Sequence, residues 1–467
     1  MKPAECDEPS QCPSMSSPSF SFTPVKVFTG SPPRSRATLA RAAYALGLAA
    51  FFFLLFLSLA QIGSSPWFAY YHVGFLPDLK VALVPVGLTA ALALGFIFAK
   101  FSFGYFAGFY LFVVAAGYFW INAFSKLNYP HQEALFSAAA SIALFLIPAL
   151  TIKAGRLPQL FILPRRTPEI ILAVSIAVLI ACASYGVQFI GIDDMYKYRS
   201  AIVRPRWLEY LAGNICGALI PFAVAWSVLQ RRWFVVSCLC IVSTMFYPVA
   251  LTKTALFAAP FLLFIAIMSR YFAARWVVLL SLLLPAMAGE LQMTLSILSR
   301  GEINLLGYYP FSLLNIRLLA IPSISLEHYY EFFSSHPLTH FCQISFLQSV
   351  MSCPYASQLG VVLGDAYQIG NMNASLLATE GVASVGITLA PVAALACGLI
   401  VACGNVCSAR LPDRFILISG SIAAVTLLNV PLSTTLLTNG LGLLMVLWML
   451  TPRANFANGQ AASALLR

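Results

Sequence analysis

FGYFAGFYLFVVAAGYFWINAF, residues 103–124, carries no charged side chain and is apolar on every face of the helix it would form. At about 1.5 Å of rise per residue, it is long enough for a hydrocarbon core about 30 Å thick. Inside lipid the backbone must satisfy its own polar groups, and this run is too long and too uniformly apolar for a barrel strand. It reads as a membrane-spanning helix. Working outward, similar runs occur at 42–62, 81–99, 134–152, 169–190 and 208–229, then at 234–251, 255–269, 276–298, 374–402, 415–431 and 434–450. The run 255–269 is short for a full crossing, and 374–402 is long enough to tilt or break. The sequence predicts an all-α polytopic membrane protein with about twelve transmembrane helices.

Composition agrees. The 467 residues are 60% hydrophobic and only 9% charged, against about 25% charged in average soluble chains. That excludes disorder, collagen-like repeats and a small disulfide scaffold. The 36 Phe, 19 Tyr and 7 Trp suit acyl chains and headgroup boundaries. The net charge of +11 is no sign of nucleic-acid binding, because its meaning depends on where the cations fall. With the N-terminus in the cytoplasm and alternating crossings, roughly two-thirds of the Lys and Arg fall inside, as the positive-inside rule asks. The outer side keeps Lys80, Lys126, Lys197, Arg199, Arg204, Arg206, Lys253, Arg300 and Arg317.

The expected organisation is a disordered cytoplasmic tail over 1–40, rich in Ser and Pro, and nine helices over 41–298. A large outer segment over 299–371 then folds as short helices on the membrane domain, three helices follow over 372–452, and 453–467 is a second cytoplasmic tail. No cleavable signal peptide and no internal repeat are visible.

Several residues break the membrane pattern. Asp193, Asp194, Tyr196, Lys197, Tyr198, Arg199, Arg204 and Arg206 crowd one outer loop, against the charge bias. Arginine forks fit phosphate oxygens, so this loop is a candidate diphosphate site, with Tyr196 and Tyr198 placed to stack on a sugar. A solvated loop whose Asp and Arg pair among themselves is the plain alternative. Lys253 lies between two apolar runs, Glu290 within one, and Glu380 near the start of another. Charge at such depth faces a cavity or a partner, and a purely structural Lys–Glu pair is the alternative. All five histidines fall in outer segments. His336 and His340 are spaced as on one helical face, but Pro337 intervenes and no third ligand is near, so no metal is expected. Cys342 and Cys353 are the only outer cysteines, and an oxidising periplasm permits a bridge between them; two free thiols are the alternative. Phosphate-binding glycine loops, HExxH and nucleophile elbows are missing, and no cofactor is expected.

The cationic outer loop, the stretch Thr252-Lys253-Thr-Ala-Leu-Phe and the large outer segment before the last helices form one part of a pattern. Gly364-Asp365, Asn371, Asn373, Glu380-Gly381, Gly386 and the stretch Asn429–Asn439 form the other. Together they resemble the bacterial repeat-unit polymerases (Wzy-type) of O-antigen and exopolysaccharide assembly. The likeness covers most of residues 40–452 in layout and only short stretches in motif. It implies a GT-C-like membrane glycosyltransferase of the inner membrane, both termini cytoplasmic, which joins undecaprenyl-diphosphate-linked glycans on the periplasmic face. Membrane lipids, a chain-length regulator and a flippase are the partners it implies. In that setting Arg199, Arg204, Arg206, Lys253, Arg300 and Arg317 would hold the departing diphosphate. His336, His340 or Glu380 would take the acceptor proton, and Tyr196, Tyr198 and Asn373 would touch substrate. An O-antigen ligase would share this chemistry with a different acceptor. A transporter or flippase of lipid-linked glycans would form no bond.

Overall fold

The computed structural model describes residues 34–152, 162–191, 204–300, 305–344, 347 and 350–452. Residues 1–42 and 43–467 form separate units, and the larger is described here. Among the described residues the chain is helical, without strands. Helix α1 (Arg34–Ser64) enters this unit at Ala43, followed by α2 (Leu79–Phe98), α3 (Phe103–Phe124), α4 (His131–Thr151) and α5 (Thr167–Ala183). Next come α6 (Arg206–Asn214), α7 (Ile220–Leu229), α8 (Trp233–Met245), α9 (Tyr247–Ala250), α10 (Lys253–Tyr271) and α11 (Ala274–Arg300). The rest are α12 (Leu305–Phe311), α13 (Ile321–Ser335), α14 (Leu359–Tyr367), α15 (Ser384–Ser408), α16 (Asp413–Thr426), α17 (Leu432–Leu437) and α18 (Leu441–Leu450). Among the described residues, ten helical runs are long and apolar enough to cross a membrane. This is the make-up of a multi-pass membrane protein.

The quoted stretch is α3, and every residue of it except Ala123 is buried. A helix apolar on all sides belongs inside a bundle, and α3 is its axis. Phe51 and Phe52 of α1 pack on Phe109, Phe96 of α2 stacks on Phe112, and Phe103 meets Trp448 of α18 edge-on. Its few polar groups find partners, as Tyr110 does in Ser281 of α11 at 2.8 Å. Contacts also orient the bundle. Arg275, at the start of α11, donates to the carbonyls of Ile97 and Ala99, so the end of α2 lies at the same end, called lower here. Ser64, Phe124, His131 and the end of α11 then lie at the upper end.

Two expectations need correction. The run 255–269, read as short, is part of Lys253–Tyr271, which is long enough to cross. More important, 299–371 is not simply a series of short helices: Gly307–Ser335 is one helical run, long and apolar enough to span. Its scattered polar residues read as loop because sequence cannot show that the fold buries and bonds them. Ser323, for example, is fully buried and donates to the carbonyl of Val114 at 3.0 Å. The run's first turn meets α11 near its upper end, where Gly307 closes on Ser296. Its last turns meet the upper loop between α3 and α4, where Tyr129 donates to Glu327 at 3.5 Å. The run therefore dips into the upper half of the bundle and returns to the same end.

Several expected helices are shortened or broken. The run 169–190 yields only α5, 415–431 yields α16, and 434–450 divides into α17 and α18 at Gly440, where φ is 80°. The run 374–402 opens with a π-turn over Leu377–Ala383 and kinks at Gly386, whose φ of 77° and ψ of 174° suit glycine. Two further π-turns, Ile215–Leu219 and Ser312–Ala320, interrupt the runs from α6 to α7 and from α12 to α13.

Candidate functional site

Asp193, Asp194, Tyr196, Lys197, Tyr198 and Arg199 lie outside the described residues. The structure places the next cation of that loop. Arg204 is half-buried; its Nη2 donates to the Val249 carbonyl, and its Nε–H is buried without a partner. The same corner is laced by Gln188 N–H donating to the Pro248 carbonyl at 2.8 Å and Tyr247 Oη donating to the Ile190 carbonyl at 2.8 Å. The chain then turns through Leu251 at φ 47°, and α10 begins at Lys253. Thr252, at its N-cap, makes no side-chain capping bond. First-turn amides carry partial positive charge and take an anion readily. Arg204, Lys253 and this helix start therefore form a cationic corner at the upper end. Arg206 opens α6 beside it and is exposed.

Glu380 lies in the π-turn Leu377–Ala383 and is only 8% exposed. One carboxylate oxygen accepts from the backbone N–H and the hydroxyl of Ser433, at 2.9 and 2.8 Å. The other accepts from Thr379 Oγ1 at 2.6 Å. These partners are neutral, so the Lys–Glu pair considered from sequence is not what holds Glu380. The contact ties the Glu380-Gly381 motif to the stretch 429–439. That stretch is also tied to the far end of α6, where Asn214 Nδ2 donates to the carbonyls of Leu437 and Thr438 at 3.2 and 3.3 Å.

The remaining candidates scatter. His336 sits just past α13 with φ −112° and ψ 157°, because the following Pro337 disfavours helix. Its ring stacks on Phe332 at 3.9 Å, and its Nδ1 pairs with the Phe332 carbonyl at 2.8 Å. His340 lies in a turn with φ 48°. The two are both exposed and share no helical face, which corrects the spacing inferred from sequence. Among the described residues no group of three His, Cys, Asp or Glu side chains stands ready for a metal. Asn373 and Asn371 press their side-chain oxygens toward Gly360 of α14, and Met372 N–H donates to the Gly360 carbonyl at 2.8 Å, so this turn holds α14 in place. Cys342 and Cys353 form a disulfide, with Cα atoms 5.4 Å apart.

Arg317, on the π-turn Ser312–Ala320, stands near Tyr71 in an aromatic corner of the upper end with Phe68 and Tyr308. Burial pushes the Tyr71 phenol up, while a hydrogen bond from Tyr70 and the Arg317 charge pull it back. Arg300 ends α11, and its side chain lies outside the described residues.

The sequence reading missed a cluster on α13. Glu327 and His328 are fully buried. His328 Nδ1 pairs with the Ile324 carbonyl at 2.8 Å, its ring meets Tyr367 edge-on at 4.5 Å, and Tyr367 in turn donates to Glu331. The available signal was the apolar spacing of Ile321, Ile324, Tyr329, Phe332 and Phe333, which suits an amphipathic helix. A lateral cleft of about 310 Å³ opens beside the Gly386 kink, between α4 and α15, with Glu133, Phe136, Ser137 and Pro391 among its lining.

No family model, no curated protein and no solved structure matches the chain. Chemically, the upper end offers fixed cations and a helix N-terminus for an anion, exposed imidazoles for a proton, and a cleft facing sideways.

Proposed function

We propose that the chain polymerises undecaprenyl-diphosphate-linked oligosaccharide repeat units at the periplasmic face of a bacterial inner membrane. The observation that carries this reading is the anchoring of Arg204 on the Val249 carbonyl, beside the start of α10, where Thr252 makes no side-chain capping bond. Cations held in a partly dry corner stabilise a diphosphate most as charge builds on it during glycosidic cleavage. With twelve crossings and both termini inside, as this reading requires, the corner and the upper end as a whole face the periplasm. The saturated carboxylate of Glu380 acts as a brace for the stretch 429–439, which leaves the exposed His336 and His340 as bases for the acceptor hydroxyl. The lateral cleft beside Gly386 accepts one polyprenyl chain from the bilayer.

The test supplies the purified protein with lipid-linked repeat units. Ladders of lengthening glycan are expected. Translocation without new glycosidic bonds would make the protein a transporter, and transfer only to a lipid A–core acceptor would make it a ligase.

A further inference from the structure

We propose that an alkali-metal cation binds in the upper half of the bundle between α1, α11 and the π-turn Ser312–Ala320, on Glu290, Ser58 and Gln61. Glu290 is 6% exposed in a helix long and apolar enough to cross a membrane, where a bare carboxylate is costly. Its partners are neutral. Ser58 Oγ lies 3.1 Å from Oε2, and Gln61 Nε2 donates to Oε1. Ser58 has a single proton, and the Leu54 carbonyl at 2.9 Å competes for it. Asn315, fully buried, donates from Nδ2 to Ser58 Oγ at 2.9 Å and to the Ala286 carbonyl at 3.0 Å. Two more acceptors, Gln61 Oε1 and Asn315 Oδ1, are buried without any partner. Gly289, next to Glu290, leaves the space into which Asn315 Oδ1 projects.

This cluster therefore holds more oxygen lone pairs than protons to fill them, and one negative charge. A single positive ion corrects both at once. A divalent ion would leave an uncompensated charge in a low-dielectric interior. The donors are all hard oxygens, which suit an alkali cation and not a soft metal. On binding, Ser58 directs its hydroxyl hydrogen bond to the Leu54 carbonyl and turns a lone pair to the ion. The Gln61 amide turns over to present Oε1, an exchange of oxygen and nitrogen that needs little space. Asn315 is a positioning residue, holding Ser58 from behind. Because Ser58 and Gln61 are on α1 and Glu290 on α11, the ion joins two segments distant in sequence, with Asn315 of the π-turn behind them.

The experiment measures radioactive sodium binding to the purified full-length chain in detergent micelles. Saturable binding of about one ion per chain is expected, displaced by unlabelled sodium and untouched by choline. Glu290→Gln should weaken it at least about tenfold, the scale of one lost charged contact. Gln61→Leu, at a half-buried position, should weaken it as well and guards against misfolding of the first variant. Absence of saturable binding, displacement by choline, or unchanged affinity in whichever variants elute as folded protein would overturn the proposal.

Discussion

Glu380 accepts two hydrogen bonds from Ser433, one from its backbone N–H at 2.9 Å and one from its hydroxyl at 2.8 Å. Residues 53 apart thereby lock a π-turn to the start of α17. Ser433→Ala keeps the backbone bond and removes the other, so it should cost about 1 kcal/mol. Glu380→Ala strands the Ser433 donors and should cost more, about 1–3 kcal/mol. Thermal unfolding in detergent should rank Glu380→Ala below Ser433→Ala; equal midpoints for both variants and the parent would dismiss the brace.

The cationic corner is tested by sign and shape. Arg204→Ala, Arg199→Ala or Lys253→Ala should abolish glycan chain growth while leaving expression and membrane insertion intact. Arg204→Lys should recover only part, because lysine keeps the charge and loses the fork that reaches the Val249 carbonyl. Normal polymer ladders from a variant lacking both Arg199 and Lys253 would refute an anion site there.

The return of the run 305–335 to its own end makes a labelling prediction. In a chain whose native cysteines are replaced, Leu305→Cys and His336→Cys should react with an impermeant maleimide from the same face, the periplasmic one. Both positions are exposed. Reaction from opposite faces would mean that the run crosses the membrane, and would also invert the helices after it.

Cys342 and Cys353 are 11 residues apart, and closing so short a loop should contribute about 2–3 kcal/mol in the loop-entropy model. Non-reducing gels should show a mobility change on reduction, and the paired serine variant should melt lower. Titration of both thiols in protein purified without reductant would remove the bridge.

Close backbone approach gives the sharpest packing test. A Cβ on Gly217 would lie 2.1 Å from the carbonyl oxygen of Asn439, a backbone atom that cannot swing aside. Gly217→Ala should therefore cost about 1–3 kcal/mol by overpacking. Gly87→Ala, which meets nothing nearby, should leave the melting midpoint level or slightly raised, because alanine favours a helix, and serves as the control.

The sequence by itself determined that the chain is helical and built for a membrane. A run such as 103–124 has no other way to satisfy its backbone in lipid, and its apolar circumference already placed it among other helices. The pairing of Cys342 with Cys353 was legible too, since the topology predicted from sequence left no other outer partner. Tertiary structure alone decided what the polar exceptions do. Ser323, Glu327 and His328 looked like loop residues because their partners on α3, in the 125–130 loop and on α14 come from distant parts of the chain. His336 and His340 looked like helical neighbours until Pro337 ended the helix between them. Glu290 and Glu380 both read as buried charges awaiting a cation, yet folding gave Glu380 three donors from Ser433 and Thr379 and gave Glu290 only those of Ser58 and Gln61. Hydropathy averages over a window and so finds where a chain enters lipid. Which buried oxygen meets which donor depends on how helices pack, and no local pattern records that.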